Sequence, residues 1–306
     1  MAWFETLDSR ITDYLPDLEY RKDEPMAKHI SFRVGGPARR MAFPKNAEQI
    51  VLLMNFALEC GARPLVIGNG TNLLAPDEGL DRLVIDMSAA MTQIRDGAAE
   101  GEITAECGVS LARLAEYARK KGLGGLEFAH GIPGTLGGAV CMNAGAYGGE
   151  MKDVITSVTL LDPERGIRTL SNEEMQFAYR RSLLSEHPEY VVLSASFRLA
   201  KGDSEEIGAR MKELMEKRKA SQPLEYPSAG STFKRPTGYY AGPLIEGCGL
   251  KGCRVGGAEV SRKHAGFVIN VGGATCADVL ALIEKVQKTV FDAHGVMLEP
   301  EVRIVS

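Results

Sequence analysis

Residues 131–149 read GIPGTLGGAVCMNAGAYGG, a run with seven glycines and no charged side chain. A solvated loop normally carries charges, whereas small residues between glycines let a backbone pack closely against a flat ligand or another backbone. We interpret this stretch as a ligand-binding turn that contacts a phosphate. Tight turns inside a hydrophobic core are the alternative interpretation.

A second glycine-rich loop lies upstream, where residues 66–73 read VIGNGTNL after an apolar run. The third glycine of a dinucleotide-binding fingerprint would fall at Leu73, and the lysine of a P-loop is missing. Neither familiar nucleotide motif therefore fits. The two glycines and the short polar side chains can still form an anion-binding nest of backbone N–H groups, or a plain turn. The chain has 34 glycines among 306 residues, above the usual figure of about 7%, and their clustering suggests a bound cofactor.

The composition limits the class of protein. A length of 306 residues and a hydrophobic content of 44% are typical of two or three globular domains. The net charge of −4 lacks the basic excess that nucleic-acid binding requires. We find no signal peptide and no apolar run of membrane-spanning length, so we expect a cytoplasmic protein that binds neither nucleic acid nor membrane. The six cysteines are expected to be reduced thiols, and we expect no metal site because the Cys248–Cys253 spacing has no second pair.

The hydrophobic pattern predicts alternating helices and strands. In the first half, a helix over 46–60 is followed by strands at 64–67 and 83–86. A strand at 103–106 then leads to a helix over 110–122, which Ser110 begins and Gly122 ends.

In the second half, a turn at Asp162–Gly166 predicts a hairpin, and the spacing of Ser171 and Glu174 predicts a short capped helix. The remaining predicted elements are a strand at 190–199, a helix at 203–219, a strand at 266–271, a helix opened by Thr275 and a strand near 297–305.

Three groups of polar residues accompany apolar residues in the second half. They are Tyr179-Arg-Arg-Ser182, Ala229-Gly-Ser-Thr-Phe-Lys-Arg235 and Leu298-Glu-Pro-Glu-Val-Arg-Ile304. Each group alone is weak evidence of a catalytic role, because charged residues on strands usually face solvent.

Together with the two glycine-rich loops, this order of motifs resembles the UDP-N-acetylenolpyruvoylglucosamine reductase family of peptidoglycan synthesis, in its shorter branch. The resemblance extends from Phe32 to Ile304. It implies an α+β fold, with a two-part FAD-binding region of the vanillyl-alcohol-oxidase (PCMH) type and a C-terminal α+β substrate domain. The implied boundaries are 1–88 and 89–202 for the two FAD-binding subdomains and 203–306 for the substrate domain.

The resemblance also implies an activity. NADPH reduces a noncovalently bound FAD, which then reduces the enolpyruvyl ether of UDP-N-acetyl-3-O-(1-carboxyvinyl)glucosamine to give UDP-N-acetylmuramate. Hydride adds to the terminal enolpyruvyl carbon, Arg180 and Glu301 stabilise the resulting negative charge, and Ser231 donates the proton. The family pattern leaves Arg181 facing solvent.

The binding residues follow from the same resemblance. Tyr179, Lys234 and Arg235 are expected to bind the UDP-sugar. The residues expected to contact FAD are Gly68, Asn69, Gly70, Thr71, Asn72, Gly131, Ile132, Pro133, Gly134, Thr135, Gly137 and Ala139. His130 precedes the second loop, but we expect no covalent bond between this histidine and the flavin.

Two other functions compete with this interpretation. One is an FAD-dependent oxidase of the same fold, which passes electrons to oxygen. The other is a catalytically inactive nucleotide-binding or regulatory protein, against which Arg180, Ser231 and Glu301 argue jointly. We expect the UDP-sugar and NADPH to be the partners, and a monomer is favoured.

Overall fold

The computed structural model of the protein describes residues 2–89 and 91–306. The chain divides into two compact units, each built from three separate segments. The first unit comprises Met1–Lys22, Arg40–Asn69 and Arg82–Glu216, and the second comprises Asp23–Arg39, Gly70–Asp81 and Lys217–Ser306. The three-part division inferred from the sequence stays a prediction.

The described residues contain seven α-helices and eighteen strands. The helices are α1 Trp3–Tyr14, α2 Ala47–Glu59, α3 Leu111–Lys120, α4 Leu136–Met142, α5 Ser204–Ser221, α6 Ala241–Gly247 and α7 Cys276–His294. The strands are β1 Glu19–Pro25, β2 Pro37–Phe43, β3 Leu65–Ile67, β4 Leu73–Leu74, β5 Leu80–Asp86, β6 Ile94–Asp96, β7 Glu102–Glu106, β8 Leu123–Gly124, β9 Gly145–Ala146, β10 Gly149–Glu150, β11 Ile155–Asp162, β12 Gly166–Ser171, β13 Val191–Arg198, β14 Ala200–Lys201, β15 Arg254–Val255, β16 Ala258–Val260, β17 Val268–Asn270 and β18 Arg303–Ile304.

Two sheets organise the first unit. Residues 19–22, 40–43 and 82–86 form one sheet with β3, which runs parallel to β5. The other sheet has the order β12-β11-β13-β7-β6, and all of its neighbouring strands are antiparallel. One hydrophobic core includes buried side chains of both sheets and of α2 and α3, so the loops that leave the strands have a rigid support.

The predicted helix starts are confirmed by their caps. The side chains of Asn46, Ser110 and Thr275 accept hydrogen bonds from the N–H groups three residues further on, at 2.9, 3.3 and 3.1 Å. These bonds satisfy N–H groups that have no partner inside the helix. The predicted hairpin is also confirmed, because β11 pairs with β12 up to Asp162 and Gly166.

The short helix predicted from Ser171 is wrong. The two hydrogen bonds of a capping box are present, from the Ser171 N–H to Glu174 Oε2 (2.8 Å) and from the Glu174 N–H to Ser171 Oγ (3.3 Å). The chain nevertheless makes only a turn. Gln176 has a φ of +49°, and this left-handed conformation is incompatible with a continuing helix.

The second unit combines a small sheet with α6 and α7. Its sheet has the order β15-β16-β17, and β18 runs parallel to β4. The strands predicted at 266–271 and 297–305 are shorter than expected. At Asn270 the side chain accepts the Gly272 N–H at 2.9 Å, which turns the chain out of the sheet.

The core of the second unit draws on distant parts of the chain. The buried α7 residues Val279 and Ile283 belong to the same hydrophobic cluster as Phe32, Val34 and Leu74. Phe32, Val34 and Leu74 are each at most 2% exposed. The interior of this unit therefore depends on side chains from early in the sequence.

Within residues 2–89 and 91–306, no helix has the length and apolar character needed to cross a bilayer. The six cysteines are free thiols. Burial raises the pKa of Cys107 to about 12 and that of Cys276 to about 11, so both thiols are protonated near neutral pH.

A part-buried ion pair connects α1 to the sheet of the first unit that contains β3. Asp8 accepts two hydrogen bonds from Arg40, from Nε at 2.6 Å and from Nη2 at 2.7 Å. Tyr20 Oη donates to the same carboxylate at 2.9 Å, and Lys22 Nζ lies 2.8 Å away. Burial by itself raises the pKa of Asp8, but these donors outweigh it and hold the pKa at about 2. The carboxylate compensates Arg40, which is only 5% exposed.

Replacing Asp8 tests this ion pair. The Asp8→Asn variant removes the carboxylate charge that compensates the buried Arg40 guanidinium, so we expect the free energy of unfolding to fall by about 2 to 3 kcal/mol. The Asp8 contribution is fully present above its ordinary pKa of 3.8 and is lost as the pH falls toward 2. The variant should therefore lose less stability than the wild type between these pH values. Urea unfolding at several pH values measures both effects.

Asp13→Asn is the matched control, because Asp13 is an exposed carboxylate of the same helix. We expect it to unfold like the wild type. Equal destabilisation by the two variants would contradict the assigned role of Asp8.

Candidate active site

The two glycine-rich loops predicted to bind a cofactor meet in the first unit. A Cβ atom at Gly68 would lie well inside van der Waals contact of Thr135 Oγ1. Asn69 Nδ2 donates a hydrogen bond of 2.8 Å to the Pro133 carbonyl. The absence of a side chain at Gly68 therefore allows the two loops to approach each other, and the Asn69 hydrogen bond holds them together.

The second loop is anchored by its own backbone. The Gly137 N–H donates to the Cys107 carbonyl, and the Leu136 N–H donates to the Val109 carbonyl, both at 2.8 Å. The amides of Ile132 and Ala139 also bond to protein carbonyls. Three of the predicted cofactor residues, Ile132, Gly137 and Ala139, thus use their N–H groups to hold the loop in shape.

A buried histidine nitrogen lies beside this loop without a hydrogen-bond partner. Within residues 2–89 and 91–306, His130 Nδ1 and Gln222 Oε1 are the two buried side-chain atoms of this kind. A buried polar atom without a partner is costly, and a polar group of a bound ligand can supply the missing bond. The close-packed loops and this nitrogen fit a large polar cofactor such as FAD.

The remaining residues of the first predicted loop belong to the second unit. Gly70 has a φ of +58°, and a Cβ there would collide with the His29 carbonyl. Asn72 Nδ2 donates to the Glu301 carbonyl at 3.0 Å, and the Asn72 carbonyl accepts the Arg303 N–H at 2.9 Å. Asn72, which the sequence suggested as a cofactor ligand, thus holds the segment that carries Glu301.

The backbone brings the segments of Ser231 and Glu301 together. The Glu301 N–H donates to the Thr232 carbonyl at 2.7 Å. Thr232 is buried, and its Oγ1 accepts the Val268 N–H at 2.9 Å, whereas Ser231 is exposed. The predicted proton donor and the predicted carboxyl therefore occupy adjoining segments of the second unit.

The predicted substrate-binding cations of the second unit have partners. Lys234 Nζ lies 3.1 Å from Glu299 Oε2, and the side chains are 43% and 70% exposed. The Arg235 guanidinium lies 4.4 Å from the centre of the Tyr240 ring, a cation–π geometry. Lys234 is thus neutralised at the surface, while Arg235 and Tyr240 form an exposed stacked pair.

Arg180 lies in the first unit, in a tight turn. Ala178 and Arg181 exchange two backbone hydrogen bonds, of 3.0 and 3.2 Å, and Arg180 between them has a φ of +56°. Its Nη2 donates to the Gly145 carbonyl at 3.2 Å, and its guanidinium lies 5.1 Å from the Tyr179 ring. The carbonyl at residue 145, which the sequence did not suggest as an anchor, lies in the same glycine-rich stretch.

Arg181 differs from its neighbour in its surroundings. Its side chain is 54% exposed and pairs with Glu186 at the surface. Arg180 is half-buried. Of the predicted catalytic residues, Arg180 belongs to the first unit and Ser231 and Glu301 to the second.

Comparisons with known proteins identify both parts of the chain. Residues 38–171 match a family model described as an FAD binding domain, and residues 222–305 match one described as the C-terminal domain of UDP-N-acetylenolpyruvoylglucosamine reductase. The predicted fold class, α+β with an FAD-binding region and a C-terminal substrate domain, is confirmed. The chain is therefore an oxidoreductase with an FAD-binding domain.

Similar proteins cover nearly the whole chain. The UDP-N-acetylenolpyruvoylglucosamine reductase of Caldanaerobacter subterraneus subsp. tengcongensis is 49% identical over 301 residues, which is 98% of each chain. That of Clostridioides difficile is 48% identical over 287 residues, covering 94% of this chain and 93% of the relative. The crystal structure of the Thermus caldophilus reductase superposes with a TM-score of 0.80 at 36% identity, covering 94% of this chain and 99% of that one. By these matches, the chain belongs to the UDP-N-acetylenolpyruvoylglucosamine reductase family.

Proposed function

We propose that the protein reduces the enolpyruvyl ether of UDP-N-acetyl-3-O-(1-carboxyvinyl)glucosamine to UDP-N-acetylmuramate in peptidoglycan synthesis, with NADPH as the electron source. The observation that carries this proposal is the similarity to reductases of that name along the whole chain. The geometry of the glycine-rich loops supports it. One NADPH and one proton are consumed for each double bond reduced.

The proposed cofactor is noncovalent FAD, bound at the two glycine-rich loops. Gly68, Asn69, Pro133 and Thr135 form the contact between the loops, and His130 Nδ1 offers an unused polar atom. Bound FAD supplies the chemistry of taking up a hydride from NADPH and delivering it to the terminal enolpyruvyl carbon.

The protein must stabilise the negative charge that develops on the substrate. Hydride addition to the terminal carbon leaves charge on the neighbouring carbon and its carboxylate. Arg180 is proposed to stabilise this charge, because a guanidinium held in place by surrounding bonds does not need to reorganise during the reaction. Its anchors are the Gly145 carbonyl and the tight backbone turn at Ala178 and Arg181.

Glu301 is proposed to assist Arg180. A carboxyl group can stabilise an anion only by donating a hydrogen bond, which requires its protonated form or an intervening water. The backbone contacts of the Glu301 segment to Thr232 and Asn72 fix its position.

Ser231 is proposed to complete the reaction by protonating the α-carbon. A serine hydroxyl is a weak acid, so nearby groups must stabilise the alkoxide that remains. Lys234 lies three residues further on and is one candidate for this role, and its ammonium group is paired with Glu299. We propose Lys234, Arg235 and Tyr179 as substrate-binding residues.

The experiment that tests the proposed reaction is a two-step flavin titration. Under anaerobic conditions, NADPH should bleach the flavin, and the enolpyruvyl UDP-sugar should then restore its colour. A flavin that is restored by oxygen and not by the UDP-sugar would favour the oxidase of the same fold. A purified protein that binds no flavin would favour the inactive nucleotide-binding protein. A monomeric state and a cytoplasmic location are further expectations.

Ser231→Ala separates the two half-reactions. We expect flavin reduction by NADPH to remain nearly intact, because this step needs no proton from Ser231. Flavin reoxidation by the UDP-sugar should slow by about 100-fold or more, in the range typical of a lost general acid. Stopped-flow absorbance of the flavin measures both rates. The exposed Ser221→Ala variant of α5 is the control, and equal losses in both half-reactions of Ser231→Ala would refute the proposed role.

Gly68→Ala tests the contact between the loops. The added methyl group would collide with Thr135 Oγ1, so the loops must separate and FAD affinity should fall by about tenfold or more, equivalent to about 1.4 kcal/mol. Fluorescence titration of the apoprotein with FAD measures the affinity.

Gly247→Ala is the matched control, because a Cβ at residue 247 would have no atom within 4 Å. In the Gly68→Ala background, Thr135→Ala removes the colliding hydroxyl and should recover part of the affinity. Wild-type FAD affinity in Gly68→Ala would exclude the proposed role of this contact.

A further inference from the structure

Asn143 is a polar residue with no exposed surface. It ends α4 with a φ of +42°, a left-handed conformation that asparagine tolerates better than most residues. It also lies in the middle of the glycine-rich stretch 131–149. A fully buried amide needs partners for its donors and its acceptor, and these partners indicate its role.

The Asn143 side chain joins three segments of the first unit. Nδ2 donates to Glu150 Oε2 at 2.6 Å and to the Ala178 carbonyl at 3.0 Å. Oδ1 accepts the Lys152 N–H at 2.9 Å. One amide thus connects the end of α4, the segment from β10 to Lys152 and the turn at Ala178.

The Ala178 contact leads directly to Arg180. Ala178 and Arg181 exchange the two backbone hydrogen bonds that close the Arg180 turn. The Arg180 side chain returns to the Gly145 carbonyl, two residues after Asn143. The guanidinium and the base of its turn are therefore fastened to the same short stretch of chain, once by Arg180 itself and once by Asn143.

We propose that Asn143 is the positioning residue for Arg180, and that it ties the placement of this guanidinium to the glycine-rich stretch. This inference rests on the proposed function, in which Arg180 stabilises the anion formed on the substrate. Both donors of the amide are required, one for the Ala178 carbonyl and one for Glu150. Asparagine suits the position because it combines these donors with an acceptor and tolerates a positive φ.

Two substitutions separate the donors from the backbone conformation. Asn143→Asp keeps an acceptor for the Lys152 N–H and tolerates the left-handed conformation, but its carboxyl group has at most one O–H donor and cannot serve both the Ala178 carbonyl and Glu150. Asn143→Gly keeps the conformation and removes all three bonds. If the donors matter, both variants displace the Arg180 turn, so a folding failure of one leaves the other to decide.

The measurement is stopped-flow kinetics of both half-reactions in the FAD-loaded enzyme. We expect flavin reduction by NADPH to remain nearly unchanged in both variants. Flavin reoxidation by the enolpyruvyl UDP-sugar should slow by about 10- to 100-fold, the scale expected when a catalytic group is misplaced by about 1 Å. Unimpaired reoxidation in Asn143→Asp would overturn the inference.

A double-variant cycle with Arg180→Lys distinguishes positioning from general support of the fold. If Asn143 acts through Arg180, Asn143→Asp should slow reoxidation much less in the Arg180→Lys background than in the wild type. Equal effects in both backgrounds would mean that Asn143 does not act through Arg180, and would overturn the inference.

Asn172→Ala is the matched control. Asn172 Nδ2 likewise donates two hydrogen bonds, to the Lys152 carbonyl at 2.8 Å and the Ile155 carbonyl at 2.7 Å, and neither bond involves the Arg180 turn. We expect it to lower the melting temperature without a selective loss of reoxidation. If Asn172→Ala shows the same selective loss as the Asn143 variants, the inference is wrong.

The same data distinguish failure of this inference from failure of the proposed function. If Arg180→Lys alone leaves reoxidation unchanged, the proposed role of Arg180 is wrong, and the inference falls with it. If Arg180→Lys slows reoxidation and Asn143→Asp does not, only the inference about Asn143 is wrong.

Discussion

The contact between Gly68 and Thr135 is the constraint on which the candidate cofactor site depends. A side chain at residue 68 would occupy the space of the threonine hydroxyl, so the two loops can meet only where the chain has a hydrogen in place of a Cβ. The second loop is held in turn by the Gly137 N–H, which binds the Cys107 carbonyl just after β7. A loop that follows β3 in one sheet is thereby linked, through a few close contacts, to a loop held by the other sheet of the same unit. Both sheets share one core, which gives this contact a rigid base.

Local signals in the sequence predicted local structure well. The caps at Asn46 and Thr275 are bonds between residues three positions apart, and a short window of sequence contains both partners. The Asp77 carboxylate also accepts hydrogen bonds from the first two N–H groups of α7, at 2.7 and 3.0 Å. Asp77 lies 199 residues from the first of these groups, so no local sequence pattern predicts this contact. At Ser171 the local signal misled, because the capping bonds form and the left-handed Gln176 still ends the turn. Capping bonds stabilise the start of a helix, but they do not determine whether the helix continues.

For the candidate catalytic residues, the sequence indicated which residues to consider but not where they lie. Ser231 and Glu301 stand out by their motifs, whereas the pairing of their segments depends on backbone contacts between distant parts of the chain. Asn72 illustrates the limit most clearly, since its amide holds the Glu301 segment over a separation of 229 residues. Lys234 lies three residues after Ser231, but its ammonium group pairs with Glu299, which lies outside that motif. Backbone pairing sets the positions of the Ser231 and Glu301 segments. The charge state and hydrogen bonding of each side chain then depend on neighbouring residues that lie outside its motif.

The hydrophobic core of the second unit contains side chains from early and late parts of the chain, which limits how the protein can be divided into fragments. Phe32, Val34 and Leu74 are buried in the same cluster as the long helix α7, although the matched C-terminal family region begins only at residue 222. A recombinant fragment cut at that boundary would lack three large apolar side chains and would have cavities or exposed surface in their place. During translation, the early segments can likewise form their native packing contacts only after the final third of the polypeptide has been synthesised. A fusion or domain exchange with this protein must therefore move the early segments together with the late ones.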